Sequence, residues 1–419
     1  MPELPDRPAA PSSRRPLRLT LVALPPGIWT LGFGSLLMDT SSELVHSLLP
    51  IFMTTVLGAS MVTVGLIEGI AEGTAAVTKV FSGALSDRLR KRKLIVVLGY
   101  GLAAITKPII PLATSLAWVF AARFVDRIGK GIRGAPRDAL IADITPPALR
   151  GAAYGLRQAL DSVGAVLGPL LAVVLMAAFA GDLKAVLWVA VVPALMSVTL
   201  LAVAVREPER AAFDAQMHPQ LGVRSIRRLD ARYWLIVALG AVFTLARFSE
   251  AFLVLRAQDV GLAIGYVPVV MIAMNVVYAA AAYPAGAAAD SMSRRALLVA
   301  GMIVLIGADV VLAEASTAWH VIAGTMLWGL HMALTQGLLS KLVADNAPAD
   351  LRGTAFGFFN LVTGGVLVIA SVLAGFLWEQ VGAAATFIAG GAFAALTTVG
   401  LLLYRPKRPM PSASTASAP

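Results

Sequence analysis

Long apolar runs broken by short charged links dominate this chain, and their length sets the first expectation. About twenty mostly apolar residues are needed for a helix to cross roughly 30 Å of hydrocarbon at 1.5 Å per residue. On that rule the pattern predicts twelve spanning helices, at 28–57, 62–86, 94–114, 117–136, 151–177 and 184–205, then 232–257, 264–288, 296–315, 318–341, 352–377 and 382–404. Between the sixth and seventh runs lies the one long internal link, 206–231, which is rich in Arg and reads as a linker between two six-helix parts. The Pro-rich, Arg-bearing stretch 1–27 and the low-complexity stretch 405–419 are expected to be disordered tails.

The two parts repeat each other. Gly83 and Asp87, followed by Arg88 and the run Arg90 to Lys93, return as Gly286 and Asp290 followed by Arg294 and Arg295, at an offset of 203 residues. Asp143 with Arg150-Gly-Ala-Ala-Tyr-Gly returns as Asp345 with Arg352-Gly-Thr-Ala-Phe-Gly at an offset of 202. Ser42-Glu43 in the first run has a possible counterpart in Ser249-Glu250 of the seventh. A duplicated set of spans with a site between the copies is the architecture of secondary transporters. The expected fold is therefore an all-α membrane protein with two pseudo-symmetric halves, 28–205 and 232–404.

Composition agrees: 58% hydrophobic and 14% charged residues with a mean hydropathy of +0.80 are too apolar for a soluble globular domain. The net charge of +10 does not point to nucleic acid, because the basic residues sit in short links rather than on one water-facing surface. If the spans alternate, Arg14, Arg15, Arg18, Arg88 to Lys93, Arg206 to Arg228, Arg294, Arg295, Arg352 and Arg405 to Arg408 fall on one side, which places both termini in the cytoplasm. No signal peptide is expected, since the first apolar run is itself long enough to span. The absence of cysteine excludes disulfides, thiol catalysis and cysteine metal sites.

Ionisable residues inside the spans carry the candidate chemistry, because each costs roughly 2.5–3.5 kcal/mol at bilayer depth on insertion scales and persists where it pairs or faces water. Asp39, Glu43 and His46 fall within about 60° of helical arc, and Glu68, Glu72 and Lys79 within about 40°. Lys107, Arg123, Asp126, Arg127, Lys130, Arg157, Gln158 and Asp161 follow in spans three to five. The second half is sparser: Arg247, Glu250, Asn275, Tyr278, Asp309, His331, Thr335, Gln336 and Asn360. Coupling chemistry is thus expected in the first half and more neutral polar contacts in the second. Some of these charges should be structural pairs, for example Glu72 with Lys107 or Asp126 with Arg157. Asp39 and Glu43 stand out, lying mid-span beside Thr40, Ser41 and Ser42 with no basic residue in their own helix. No grouping has the spacing of a metal site and no cofactor is expected.

These residues resemble the major facilitator superfamily. Gly83, Asp87, Arg88, Lys91 and Arg92 match its signature between spans two and three, with Arg90 where a second Gly is expected. Arg127-Ile-Gly-Lys130-Gly131-Ile-Arg133-Gly134-Ala135 is similar to its span-four motif, with Lys130 and Arg133 as departures. Gly164-Ala-Val-Leu-Gly168-Pro169 resembles the motif associated with its antiporters, although Gly-x-x-x-Gly is equally a close-packing device.

The resemblance implies a carrier, not an enzyme. It would work by alternating access and is able to function as a monomer in a bacterial cytoplasmic membrane. Proton-coupled export of small organic compounds is the leading expectation. Symport or exchange of an anionic metabolite, supported by Lys79, Lys107, Arg123, Arg127 and Lys130, competes with it, and a non-transporting membrane sensor is the remote alternative. Candidate coupling or substrate residues are Asp39, Glu43, His46, Glu68, Glu72, Lys107, Arg127, Gln158, Asp161, Glu250, Asn275, His331, Gln336 and Asn360. Gly83, Asp87, Arg88, Gly286, Asp290, Gly164, Gly168 and Pro169 are the candidate conformational gate, with Asp87 expected to hold a latch at a helix end.

Overall fold

The computed structural model describes residues 23–89, 91–207, 228–335, 337–348 and 351–403, and these are all-helical, with no strand among them. In chain order the helices are α1 (Pro26–Ile51), α2 (Met61–Leu89), α3 (Arg92–Thr106), α4 (Ile109–Leu112), α5 (Leu116–Ile144), α6 (Arg150–Ala178), α7 (Leu183–Val189) and α8 (Val191–Ala204). They continue with α9 (Ala231–Leu245), α10 (Ala251–Asp259), α11 (Val269–Ser291), α12 (Arg294–Ala313), α13 (Ala318–Thr335), α14 (Leu338–Asn346), α15 (Arg352–Gln380) and α16 (Ala383–Leu403).

Eight helical segments are long and apolar enough to cross a membrane: 61–82, 92–112, 150–178, 183–204, 264–289, 294–313, 354–380 and 383–403. The other four expected spans are helical but fall short of that measure. Two are rich in polar and charged residues: α1 carries Asp39, Glu43 and His46, and α5 carries Arg123, Asp126, Arg127, Lys130 and Arg133. Two are interrupted: the seventh stops at Leu245 and resumes at Ala251, and in the tenth a turn at Gly337, with φ +72°, precedes the helix that starts at Leu338. Several limits also differ from expectation. The fourth helix continues through Pro136 to Ile144, because Arg137 remains inside the protein, donating from Nη1 to Ser35 Oγ at 2.6 Å. The first ends in a π-helical turn, Phe52–Val56, just after Pro50, whose missing N–H breaks the α-ladder.

Two sharp connections need glycine. Gly181, between α6 and α7, has φ +86°, and Gly382, between α15 and α16, has φ +124°, both in the region a side chain disfavours.

Helices α1, α6 and α8 pack together, as do α2, α3 and α5; in the later part α11, α12 and α13 pack together, and α12 also meets α16. The two parts meet chiefly through α2 on α15, and less extensively through α6 on α11 and α10 on α1. The α2–α15 contact is at backbone distance. A Cβ built on Gly65 would sit 2.1 Å from Ser371 O, one on Gly73 2.8 Å from Gly364 O, and one on Gly375 2.3 Å from Met61 O. Small residues of this kind let spanning helices approach closely where no hydrophobic effect drives them together. These contacts gather towards the Met61 end of α2 and the Gln380 end of α15, and there Val62 N–H donates to Glu379 Oε1 at 3.0 Å.

Candidate functional site

The break between α9 and α10 builds the site. From Ala246 to Glu250 the backbone is not helical, a state tolerated at membrane depth only where it is buried in protein or lines a cavity. Here it does both. Ser249 N–H donates to Ser371 Oγ at 3.2 Å, while Arg247, Phe248, Ser249 and Glu250 border a cavity of about 410 Å³ between the two parts of the chain. The earlier part supplies Glu43 and His46 from α1, Glu72 from α2, and Arg127 and Lys130 from α5. The later part adds Phe243, Asn275, Trp328 and Met332, so the wall facing the charged helices combines aromatic and aliphatic side chains with the polar groups of the broken segment. Phe248 is fixed by ring contacts to Phe252, Trp328 and Phe387 at centroid distances of 5.7, 5.4 and 5.7 Å.

A second cavity of about 370 Å³ shares Glu72, Lys130 and Leu367 with the first and so adjoins it. Asp39, Lys79, Arg133, Arg137 and Asp161 border it.

Behind the central cavity the charges form pairs. Glu68 is fully buried and receives both Nε, at 3.0 Å, and Nη2 of Arg123. His46 lies between two acids, with Nδ1 3.5 Å from Glu43 Oε2 and Nε2 3.9 Å from Glu68 Oε2. Arg127 Nη1 is 3.2 Å from Glu72 Oε1, and its Nε is 3.7 Å from Asp126 Oδ2. Lys107 donates to Asp126 Oδ1 and to Ser42 Oγ, each at 3.0 Å. Arg133 Nη2 reaches Asp39 Oδ1 at 3.7 Å, and its guanidinium lies 4.4 Å above the ring of Tyr100.

The pairs expected from the sequence are therefore corrected. Glu72 pairs with Arg127 rather than Lys107, and Asp126 with Lys107 rather than Arg157, which instead bonds Asp161 at 2.6 Å. The partners of Glu72 and Asp126 lie on other helices, which periodicity within one helix does not specify, whereas Arg157 and Asp161 are an i,i+4 pair on one helix.

Of the residues singled out by sequence, Glu43, His46, Glu72, Arg127, Glu250 and Asn275 meet at the central cavity, and Asp39, Glu72 and Asp161 at the adjoining one. Glu68 and Lys107 are buried behind the cavity walls. Gln158 is exposed and accepts from Arg157 Nη2 at 3.1 Å. His331 is fully buried outside both linings, its Nδ1–H donating to Gly301 O at 2.8 Å. Asn360 is half-buried and lines neither cavity. Gly164 and Gly168 lie against α1, where a Cβ would meet Leu36 O at 2.8 Å and Thr40 O at 2.7 Å, and Pro169 is buried beside them. Gly286 is exposed, with open space around it. Gly83 lies in α2, while Gln336 and the side chains of Asp87, Arg88 and Asp290 lie outside the described residues.

Sequence reasoning missed Phe243, Phe248, Trp328 and Met332 as site residues, because an apolar side chain in an apolar span carries no signal of facing a cavity. Arg247 and Lys130 were visible as buried charges but not as the pair that faces the same space.

A bundle of membrane-spanning helices whose two parts enclose a polar cavity at mid-depth is the build of a membrane transport protein. The comparisons make this specific. The family model of the Major Facilitator Superfamily matches residues 31–274 and 251–419, and the chain belongs to that family. It is 32% identical to the uncharacterized MFS-type transporter MJ1317 of Methanocaldococcus jannaschii, over 90% of this chain and 94% of that one. It is 25% identical to the inner membrane transport protein YajR of Escherichia coli, over 88% of this chain and 81% of that protein. Among solved structures it superposes on the nucleoside transporter NupG (D323A mutant) with a TM-score of 0.78 and 11% identity, covering 90% of this chain and 99% of that one, a likeness of fold.

Proposed function

We propose that this protein exports small organic compounds by alternating access, driven by protons, from a cytoplasmic membrane in which both termini face the cytoplasm. The observation that carries the coupling is His46, placed between Glu43 at the cavity and the buried Glu68. A carboxylate in contact with a cavity exchanges protons with whichever side the cavity is open to, and imidazole changes charge within the physiological range. Protonation of Glu43 would loosen its hold on His46, and His46 would then turn its charge towards Glu68 and compete with Arg123. A proton taken up at the cavity is thereby felt at a buried ion pair between α2 and α5.

The alternating step is supported by the one-sided contact of α2 with α15. With the termini in the cytoplasm, the Met61 end of α2 is the outer end, so the described state is closed outward. Rocking the parts would separate Gly65, Gly73 and Gly375 from their partners and bring the opposite ends together.

Lys107, Arg123 and Arg127, which supported exchange of an anionic metabolite in the sequence, each have a carboxylate partner, whereas Lys130 faces both cavities.

The test is flux of a compound panel across proteoliposomes with and without a pH gradient. The proposal expects gradient-driven transport, lost in Glu43→Gln while gradient-free exchange is retained. Equal flux with and without the gradient would refute proton coupling.

A further inference from the structure

The charged groups that line the central cavity are not all engaged in ion pairs: Lys130 and Arg247, one from each part of the chain, are left over together with the acid Glu250. Glu72 is engaged by Arg127 at 3.2 Å and Glu43 by His46 at 3.5 Å. Lys130 and Arg247 remain, and among the described residues neither has a carboxylate within 4.0 Å. Lys130 is exposed to the cavity from α5, in the earlier part of the chain; Arg247 is half-buried in the broken segment after α9, in the later part. Glu250, three residues from Arg247, lines the same cavity without forming an ion pair. Next to these cations is an apolar surface: the Arg247 guanidinium lies 5.7 Å from the centroid of Phe243, and Phe248 and Trp328 continue the wall.

Resting on the transporter reading of this cavity, we infer that its substrate is an amphipathic organic anion. The anionic group is held between Lys130 and Arg247 and the apolar body lies on Phe243, Phe248 and Trp328. Arginine suits a planar oxyanion such as carboxylate, sulfonate or phosphate through its forked donors, and lysine supplies a mobile point charge. The cavity volume of about 410 Å³ falls within the range of small-molecule sites.

The placement also ties binding to motion. Two like charges, one from each part of the chain, repel across the cavity, which favours the parts standing off from each other. An anion between them reverses the sign of that interaction, and it bonds to both only when both are near. The ligand therefore binds the more closed arrangement better, which is the requirement for it to shift the equilibrium. An inside-negative membrane potential then drives the bound anion outward, in the direction of export.

The test uses the full chain in detergent and in proteoliposomes with a matched naphthyl series: 2-naphthoate, 2-naphthalenesulfonate and 2-naphthyl phosphate as anions, 2-naphthol as the neutral member, 2-naphthylmethylammonium as the cation and 3-(2-naphthyl)alanine as the zwitterion. Binding is read by equilibrium titration and flux in vesicles. At least one anion should bind about tenfold or more tighter than the neutral, cationic and zwitterionic members. Lys130→Gln and Arg247→Gln should each weaken that anion by about tenfold, with recovery in Lys130→Arg and Arg247→Lys. Lys184→Gln, which removes an exposed charge outside the site, should change nothing. Preference for the cation or zwitterion, unaltered affinity in both Gln variants, or no binding by any of the anions overturns the inference. The recovered variants guard against misfolding being taken for loss of a ligand. The outcomes separate the two readings. Proton-driven flux of the cation alone would leave the transport reading standing and sink this one. Binding of the anions with the stated variant effects but without any gradient-driven flux would do the reverse.

Discussion

Glu379 of α15 caps the start of α2, its Oε1 accepting from Val62 N–H at 3.0 Å. The first N–H groups of a helix have no partner within the helix, and the helix dipole adds attraction for a negative charge. A carboxylate at such a terminus contributes about 0.3–1 kcal/mol, or roughly two- to fivefold in an equilibrium. Because the acid and the terminus belong to opposite parts of the chain, that contribution exists only while this end is closed.

Glu379→Gln is therefore expected to favour opening at this end by about two- to fivefold. The chain has no cysteine, so a single Val64→Cys, fully buried beside the interface, reports opening directly by its rate of maleimide labelling. An unchanged rate in the Gln variant would remove the cap from the closing mechanism.

Gly65→Ala should have a larger effect. Its Cβ would overlap Ser371 O, a backbone atom that cannot swing aside, and overpacking of this kind typically costs about 1–3 kcal/mol. The closed state alone bears that cost, so labelling of Val64→Cys should rise and transport should slow. Gly101→Ala, where nothing lies within 4 Å, is the matched control and should behave as the parent.

The Lys107–Asp126 pair is almost fully buried, with each side chain at most 6% exposed. Removing one partner leaves an uncompensated charge, and losses of about 3–5 kcal/mol are usual for that. Lys107→Met and Asp126→Leu should each lower the melting temperature of the purified protein substantially. The double variant should recover a large part of the loss, and a double variant as unstable as either single one would show that the two residues do not act as a pair.

His46→Gln retains hydrogen bonding at the cavity but cannot take a charge in the physiological range. Gradient-driven flux should fall towards the gradient-free level, with thermal stability close to that of the parent. Full proton-driven flux in this variant would transfer the coupling role from His46 to the carboxylates alone.

Much of the fold was legible because apolar run length is a strong signal: every expected span is mostly helical where it is described, with breaks inside the seventh and the tenth. The candidate acids Glu43 and Glu72 were legible for a related reason, since an ionisable residue in an apolar run has few bland explanations. The break at Ala246–Glu250 was not, because the segment contains neither Gly nor Pro; it opens because Ser371 of another helix takes up the Ser249 N–H. The ion pairs were misread because they are made between helices, at angles about their axes that packing decides. Trp328 and Phe248 were silent, as an aromatic facing a cavity and one facing a neighbouring helix look alike in a linear pattern.

The glycines of α2 and α15 have a mechanical consequence. Where side chains separate two helices, rotamer changes give the joint some compliance, and it can yield by degrees. Here backbone rests on backbone along Gly65, Gly73 and Gly375, and there is no such cushion. Under the proposed alternation the joint would be stiff while engaged and have nothing to hold it once parted, so it would act as a detent: the closed end would give way all at once, with few resting places on the path between its two positions.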